Sequence, residues 1–344
     1  GKTPKSNLQF LTFLVNTIRA VYDHADLLRA SIAFTGNEYR LGANEAPPSI
    51  MSVFIGSQLS QMLNELVERV DASSKMTPEE KSELKLDIGK IPEILLDNTD
   101  RNRTSPFAFT GNRFEFRAVG SSANVASPMI ALNTAVANQL TDFKKEVDEI
   151  VHSEKLKKDE AIFRVLKQYI TESKDIRFEG DGYSQDWVEE AARRGLTNIS
   201  SIPGSLEALL SPKTVDLFRK CNVLTERELK ARQDISLETF TKKNQIEARI
   251  LGDLAMNHII PTAIKYQNTL LQNIRGLKEI YPDEQYRAMA HHQLDTIEKI
   301  ASHVNSIREN VLEMINERKK VNQMENIREK AYAYESRVCK YFEP

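Results

Sequence analysis

The sequence predicts an α+β fold, in which an antiparallel sheet is surrounded by helices and a long helical hairpin follows at the carboxyl end. Two segments on either side of a Gly-Asn turn at 111–112 carry charged residues at every second position, which is typical of neighbouring strands. Elsewhere, apolar residues recur three or four positions apart, which indicates amphipathic helices. From residue 243 this spacing runs through two long stretches joined by a Tyr-Pro turn, which predicts the hairpin.

The amino-terminal part of the chain is predicted to form helices on either side of a loop. Leu8, Leu11 and Val15 begin a helical stripe that runs from 7 to 32, and helical spacing resumes from 50 to 70. Residues 34–48 contain glycines and prolines among polar side chains, so we expect a loop positioned over a site. The charged segment 72–90 contains a helix-start signal.

The centre of the chain is also predicted to be helical. Small residues from 128 to 138 indicate a helix, and charged helical sequence continues to 171. The Gly-Asp-Gly triplet at 180–182 lacks a preceding strand and a following phosphate-binding helix, so we interpret it as a plain turn. Trp187 is predicted to anchor a core or an interface. The six histidines form no cluster, and we expect structural or surface roles for them.

The carboxyl-terminal third forms the predicted hairpin, and we place the domain boundary between residues 242 and 243. The first helix carries apolar residues such as Ile246 and Ile250, with a kink at Pro261. The second helix carries a heptad-like seam of Leu294, Ile297, Ile300, Val304, Ile307, Val311 and Met314. This seam could pack within the subunit or against another subunit, and we favour the first arrangement.

Composition excludes several classes of protein. The 344 residues are 40% hydrophobic and 28% charged, which is enough for one large domain or two. The 47 basic and 49 acidic residues give a net charge of -2, so no general attraction to nucleic acid or anionic membrane is expected. Cys221 and Cys339 form no metal or redox spacing, and no apolar run approaches the roughly 18 residues of a membrane span. We therefore expect a cytoplasmic protein. Because the sequence begins at Gly1 and not at an initiator Met, we also expect it to be the middle of a longer chain.

The most informative segment carries arginines at every second position. Arg113, Glu115 and Arg117 should project from one face of a strand, because side chains alternate between faces, while the two intervening phenylalanines point to the apolar side. Arg101 and Arg103 repeat the spacing across the turn. Planar guanidinium groups suit phosphate and carboxylate, and the single acid among them could hold a divalent metal against bound phosphate. The alternative is a solvated sheet face with weak cross-strand ion pairs.

Four motifs in and around this segment resemble glutamine synthetase. In chain order they are RLGANEAPP at 40–48, RNRT at 101–104, RFEFR at 113–117 and SAN at 122–124. The family shows R-L-x-x-x-x-E-A-P, R-N-R-S, R-x-E-x-R and a small-residue A-N motif in the same order. Residues 44–48, residues 116–124 and the long helical tail are similar to the type III branch in particular.

The resemblance implies that the 34–48 loop is a flap. Arg40 matches the arginine that holds the carboxylate of substrate glutamate. Glu45 matches a catalytic glutamate, which accepts a proton from bound ammonium and helps to exclude water. Here one residue fewer separates Arg40 from Glu45 than in the usual family spacing.

The resemblance also assigns roles to the arginine-rich strands. Arg103 and Arg113 match positions that contact nucleotide phosphates, and Arg117 matches one that engages substrate and the transferred phosphoryl group. Arg103 and Arg117 are therefore expected to be catalytic. Glu115 matches a metal ligand, where the metal offsets charge on the moving phosphoryl group. One departure from the family is Ala108, which stands where the family usually carries a further arginine.

The activity that the resemblance implies is ATP-dependent formation of glutamine from glutamate and ammonia through γ-glutamyl phosphate, with Mg²⁺ or Mn²⁺. The implied assembly is a large ring-shaped homo-oligomer, with no nucleic-acid or membrane partner. Residues 1–242 are expected to be the carboxy-terminal part of the catalytic domain, with a helical insertion at about 50–96. Further metal ligands would precede Gly1, so we expect this chain to be inactive alone.

Two other readings remain open. The chain could be a non-catalytic assembly or regulatory protein that keeps the same scaffold and uses its hairpin for partners. It could also be another carboxylate or guanidino kinase on that scaffold. Ala108 mildly favours the non-catalytic reading, whereas Glu45 and the arginine-rich strands argue against it.

Overall fold

A computed structural model of the protein describes residues 4–35, 49–69, 104–117 and 123–342, and most of these residues are helical. The first two helices are α1 (Pro4–Asp23) and α2 (Ala25–Ser31). Leu11 and Val15 on α1 are buried, as the helical stripe predicted. The single helix expected over 7–32 is divided into two at His24.

A small sheet of three strands contains the arginine-rich hairpin. Its strands are β1 (Val53–Phe54), β2 (Phe107–Phe109) and β3 (Phe114–Phe116), in the order β1-β2-β3. β2 and β3 are antiparallel, as predicted, but β1 runs parallel to β2, so the sheet is mixed. The helix expected to resume at residue 50 is α3 (Ser57–Arg69), because the residues just before it are held in the sheet as β1.

Between the sheet and residue 221, the described residues include five further α-helices. The two long ones are α4 (Ala126–Glu154) and α5 (Lys158–Glu172), which confirm the helical prediction for 128–171. They pack against each other and against α1 around a shared apolar core. The three short ones are α6 (Gln185–Arg193), α7 (Ile202–Leu206) and α8 (Pro212–Lys220).

Each short helix begins at a serine cap. The hydroxyl oxygens of Ser184, Ser201 and Ser211 accept a hydrogen bond from the backbone N–H three residues later. Such caps satisfy donors that the first helical turn leaves without a partner. The Gly-Asp-Gly triplet at 180–182 lies in the turn just before the first of them, as expected.

The chain divides into two compact units, Gly1–Gln233 and Asp234–Pro344. The helices that contribute to the second unit are α9 (Glu226–Leu254), α10 (Ile260–Ile280), α11 (Asp283–Asn322) and α12 (Ile327–Ala333). A π-helical turn, Ala255–Ile259, interrupts the path from α9 to α10 directly before Pro261, where the kink was predicted. Proline lacks the N–H that would continue the regular ladder, which accounts for the position of the break. The boundary between 242 and 243 stays a prediction.

Helices α10 and α11 form the predicted antiparallel hairpin. The side-chain amide of Gln267 donates to the carbonyl of Ile297 at 3.1 Å, and that of Asn273 donates to Gln293 Oε1 at 2.9 Å. Val311 and Met314 of the predicted seam are buried within this unit, whereas Leu294 keeps 38% of its surface exposed. In the part of the chain that the structure describes, no helix combines the length and apolar character needed to cross a membrane.

Candidate active site

A tight turn brings β2 and β3 together. The backbone N–H of Thr110 donates to the carbonyl of Arg113 at 2.9 Å, which closes the turn between the strands. Gly111 has a φ of +95°, a conformation that residues with a Cβ rarely adopt. The turn fixes the register in which Ala108 pairs with Glu115 and Phe107 with Phe116.

Charged side chains of the hairpin lie on one face. Arg113 Nε lies 3.3 Å from Glu115 Oε1, and Arg117 Nη2 lies 4.0 Å from Glu115 Oε2, so a guanidinium group faces each carboxylate oxygen. The Arg113 side chain is 72% exposed, while those of Glu115 and Arg117 are 30% and 21% exposed. The outer arginine is therefore open to a ligand, while the other two groups are partly withdrawn from water.

Aromatic rings support the opposite face of the same hairpin. The rings of Phe107 and Phe114 stack with centroids 5.0 Å apart, and Phe109 lies 5.1 Å from Phe114. Phe10 on α1 contacts Phe109 at 5.8 Å. Packing of this kind restricts both strands, so the charged face rests on a rigid base.

Ala108 occupies the centre of the hairpin. It pairs across the strands with Glu115, and cross-strand partners project to the same face. Ala108 is fully buried, so the face is covered at this point. An arginine could enter here only by displacing the groups that cover it.

Comparisons with known proteins agree with the motifs. The family model "Glutamine synthetase C-terminal domain" matches residues 161–278. The chain is 55% identical over 343 residues to a glutamine synthetase of Bacteroides fragilis (strain YCH46), covering 100% of this chain and 47% of the relative. It is 39% identical over 308 residues to a type-3 glutamine synthetase of Dictyostelium discoideum, covering 89% of this chain and 41% of that relative.

The resemblance to glutamine synthetase, type III branch, is confirmed. A glutamine synthetase of Butyrivibrio fibrisolvens is also similar, with 35% identity over 286 residues that cover 81% of this chain and 39% of the relative. The chain thus spans less than half the length of these relatives. The family model matches residues 161–278, which are mostly helical, whereas the match to the B. fragilis protein also includes the charged hairpin of β2 and β3.

Half of the residues that the glutamine synthetase motifs single out lie in the described part of the chain. Arg113, Glu115 and Arg117 are brought together on β3. Arg40, Glu45, Arg101 and Arg103 lie outside the described residues. Of the small-residue motif, Asn124 is described, and its side-chain oxygen accepts a hydrogen bond from the N–H of Ala126 at 2.8 Å, at the start of α4.

The hairpin offers one side chain suited to bind a metal ion. Glu115 supplies a carboxylate, the oxygen donor that Mg²⁺ and Mn²⁺ prefer. Within the described ranges, no cluster of three or more His, Cys, Asp or Glu side chains is arranged to hold a metal ion. Mg²⁺ usually takes only one or two protein carboxylates together with waters and phosphates, so a single ligand here suits such an ion. Arg113 and Arg117 suit the oxygens of a phosphate.

Three other residues noted in the sequence lie in environments that indicate structural roles. Trp187 is buried, its ring stacks on Phe178 with centroids 3.6 Å apart, and the Arg194 guanidinium lies 5.3 Å from it, so Trp187 anchors a core. Burial, together with the nearby Lys213 charge, lowers the pKa of His24 to about 4, so His24 is neutral at pH 7. Burial raises the pKa of the Cys221 thiol, which disfavours the reactive thiolate form.

Two buried serines beside the hairpin were not found by sequence reasoning. Ser52 Oγ donates to Ser105 Oγ at 2.8 Å, although 53 positions separate the two residues. Ser105 directly follows the RNRT motif, but an isolated serine carries no signal for such a contact. Only the pairing of β1 with β2 brings them together.

Proposed function

We propose that this chain is the carboxy-terminal part of an ATP-dependent glutamate–ammonia ligase that makes glutamine through γ-glutamyl phosphate. The observation that carries this proposal is the Arg113, Glu115 and Arg117 face, in a chain 55% identical along its length to a glutamine synthetase. Phosphoryl transfer requires positioned positive charge more than covalent chemistry, and this face supplies it.

Each residue of the face has a proposed role. Arg117, which is partly shielded from water, engages the γ-carboxylate of glutamate and the phosphoryl group that moves onto it. Arg113 projects into solvent and binds nucleotide phosphate, together with Arg103. Glu115 holds the divalent metal, Mg²⁺ or Mn²⁺, which when bound offsets negative charge on the phosphates. The two arginines orient the Glu115 carboxylate by facing its two oxygens.

The flap completes the reaction in this proposal. Arg40 holds the carboxylate of glutamate, and Glu45 takes a proton from ammonium, so that ammonia attacks the acyl phosphate. The nitrogen forms a bond to the carbonyl carbon, and the bond from that carbon to the phosphate oxygen breaks. Phosphate leaves with the electrons of that bond and takes up the proton that the nitrogen loses. Exclusion of water by the closed flap prevents hydrolysis of the activated acid.

The remaining parts of the proposal concern the longer protein. We propose that it is a large ring-shaped homo-oligomer of the cytoplasm, which uses ATP, glutamate and ammonia and has no nucleic-acid or membrane partner. Residues 1–242 would complete its catalytic domain, with residues 50–96 inserted, and 243–344 would form the helical extension. Since further metal ligands would come from preceding sequence, the chain alone should be inactive.

The test compares the isolated 344 residues with the longer protein that contains them. Both are incubated with glutamate, ATP, ammonium and Mg²⁺, and glutamine and phosphate are measured. We expect equal amounts of both products from the longer protein and none from the isolated chain. Turnover by the isolated chain would contradict the proposed incompleteness, and a longer protein that makes no glutamine would contradict the ligase function.

A non-catalytic assembly or regulatory protein is the second candidate, and one observation favours it. Ala108 pairs with Glu115 and is fully buried, so the face lacks the further arginine usual in the family. Arg103→Ala in the longer protein separates the candidates. On the ligase proposal it abolishes turnover and leaves assembly intact, whereas a non-catalytic protein would show no turnover to lose and no saturable ATP binding.

A further inference from the structure

A buried pair of hydroxyl groups ties three extended segments together next to the charged face. Ser52 Oγ donates to Ser105 Oγ at 2.8 Å, and Ser105 Oγ in turn donates to the backbone carbonyl of Phe178 at 3.3 Å. Ser52 is 0% exposed and Ser105 is 1% exposed. Because both residues are buried, the Ser52 hydroxyl needs Ser105 as its acceptor, and the Ser105 hydroxyl is held between Ser52 and the Phe178 carbonyl.

The same three segments are also joined through their backbones. The N–H of Phe107 donates to the carbonyl of Ser52 at 3.3 Å, and the N–H of Phe178 donates to that of Val53 at 3.0 Å. β1 therefore lies between β2 and the segment at 177–178. The Ser52–Ser105 pair therefore fixes the start of β2 relative to β1 and to the segment at 177–178.

One further hydrogen bond connects this tie to the charged face. The N–H of Arg117 donates to the carbonyl of Pro106 at 2.7 Å, and Pro106 directly follows Ser105. Proline has a fixed φ, so the position of its carbonyl carbon is tied to the residue before it. Arg113 lies at the other end of the hairpin, where contacts with Thr110 hold its backbone.

We infer that Ser52 and Ser105 are positioning residues for Arg117, acting through the Pro106 carbonyl. The inference rests on the proposed function for its catalytic consequence, because Arg117 is the proposed contact to glutamate and the moving phosphoryl group. It predicts a selective effect: loss of either hydroxyl should impair use of glutamate and leave ATP binding, which involves Arg113, nearly unchanged. A purely structural role would lower stability without that selectivity.

The kinetic test uses the longer protein with Ser52→Ala, Ser105→Ala and the double variant. Ser205→Ala is the matched control, because Ser205 is also 0% exposed but its hydroxyl donates within its own helix, to the carbonyl of Ile202 at 2.8 Å. We expect kcat/KM for glutamate to fall about threefold to tenfold in Ser105→Ala, the factor that corresponds to one buried hydrogen bond. The KM for ATP should stay within about twofold, and the double variant should lose no more than Ser105→Ala, because both hydroxyls act through one contact.

A second measurement does not depend on activity. Hydrogen exchange of the Arg117 amide should be faster in Ser105→Ala than in the wild type, and unchanged in Ser205→Ala. Equal exchange of the Arg117 amide in Ser105→Ala and Ser205→Ala would overturn the inference. Faster exchange in Ser105→Ala together with an unchanged kcat/KM for glutamate would also overturn it. If the wild type makes no glutamine, the proposed function fails, and exchange at Arg117 alone decides whether the serines position it.

Discussion

Replacing Glu115 with glutamine removes one negative charge from the centre of the charged face and keeps the size of the side chain. Because the Glu115 carboxylate faces Arg113 at 3.3 Å and Arg117 at 4.0 Å, the change leaves two guanidinium groups without their shared counter-ion. On our account the charge serves the reaction rather than the fold. Glu115→Gln should therefore affect activity far more than stability.

The contacts set the size of each effect. The Arg113 side chain is 72% exposed, so its ion pair is screened by water, and the Arg117 pair is at the limit of contact. Exposed pairs contribute about 0.2–1 kcal/mol, so we expect a total loss of about 1 kcal/mol at most. For a unit of this size that corresponds to a fall in Tm of about 2–4 °C. Loss of a metal ligand at a phosphoryl-transfer site should instead lower glutamine formation by about 100-fold or more.

The assay measures Tm and glutamine formation for the longer protein. Glu172→Gln is the matched control, because Glu172 is 39% exposed and pairs with Arg19 at 2.8 Å, on helices that do not carry the charged face. The control should lose a similar amount of stability and keep wild-type activity. Wild-type activity in Glu115→Gln would refute the metal-ligand role, and a fall in Tm well beyond the control would show that Glu115 stabilises the fold.

Three further predictions concern stability. In the folded state the pKa of His24 is about 4, below its ordinary value of 6.5. The contribution of His24 to the free energy of unfolding is therefore fully present above pH 6.5, and about 2–3 kcal/mol of it is lost as the pH drops toward 4. His24→Gln should flatten this part of the curve in urea unfolding at several pH values, and an unchanged slope would exclude His24 as its cause. Trp187→Ala should cost about 3–5 kcal/mol by urea unfolding, because the ring is buried and stacked on Phe178, and Trp187→Phe should cost less. Gly252→Ala should stabilise α9 by about 0.5–1 kcal/mol in thermal unfolding, because a Cβ there would be in ordinary contact, 3.7 Å from Met314 and Val311. Gly180→Ala should instead destabilise the folded protein in the same assay, because its Cβ would lie 2.8 Å from the ring of Phe178.

Local patterns in the sequence predicted the features of the fold that depend on neighbouring residues. Helical periodicity located α4, α5 and the hairpin, and alternation along β3 placed its charged and aromatic side chains on opposite faces. Proline chemistry located the break before α10. Each signal lies within a few residues of the feature that it predicts.

Features that depend on distant residues were missed. β1 contains two residues, and its pairing with β2 joins positions more than 50 apart, so its sequence reads equally well as the start of a helix. The parallel arrangement of β1 and the contact of Ser52 with Ser105 follow from that pairing. For the candidate site, motif spacing singled out Arg113, Glu115 and Arg117, whose roles stay predictions, and the three-dimensional arrangement is needed to connect Arg117 to the serines.

The most direct test of the account is a structure of the longer protein with a non-hydrolysable ATP analogue and Mg²⁺. We predict a phosphate oxygen within about 3 Å of the Arg113 guanidinium and a cation about 2.1 Å from a Glu115 oxygen. A nucleotide bound away from β3, with Glu115 contacting only the two arginines, would contradict it.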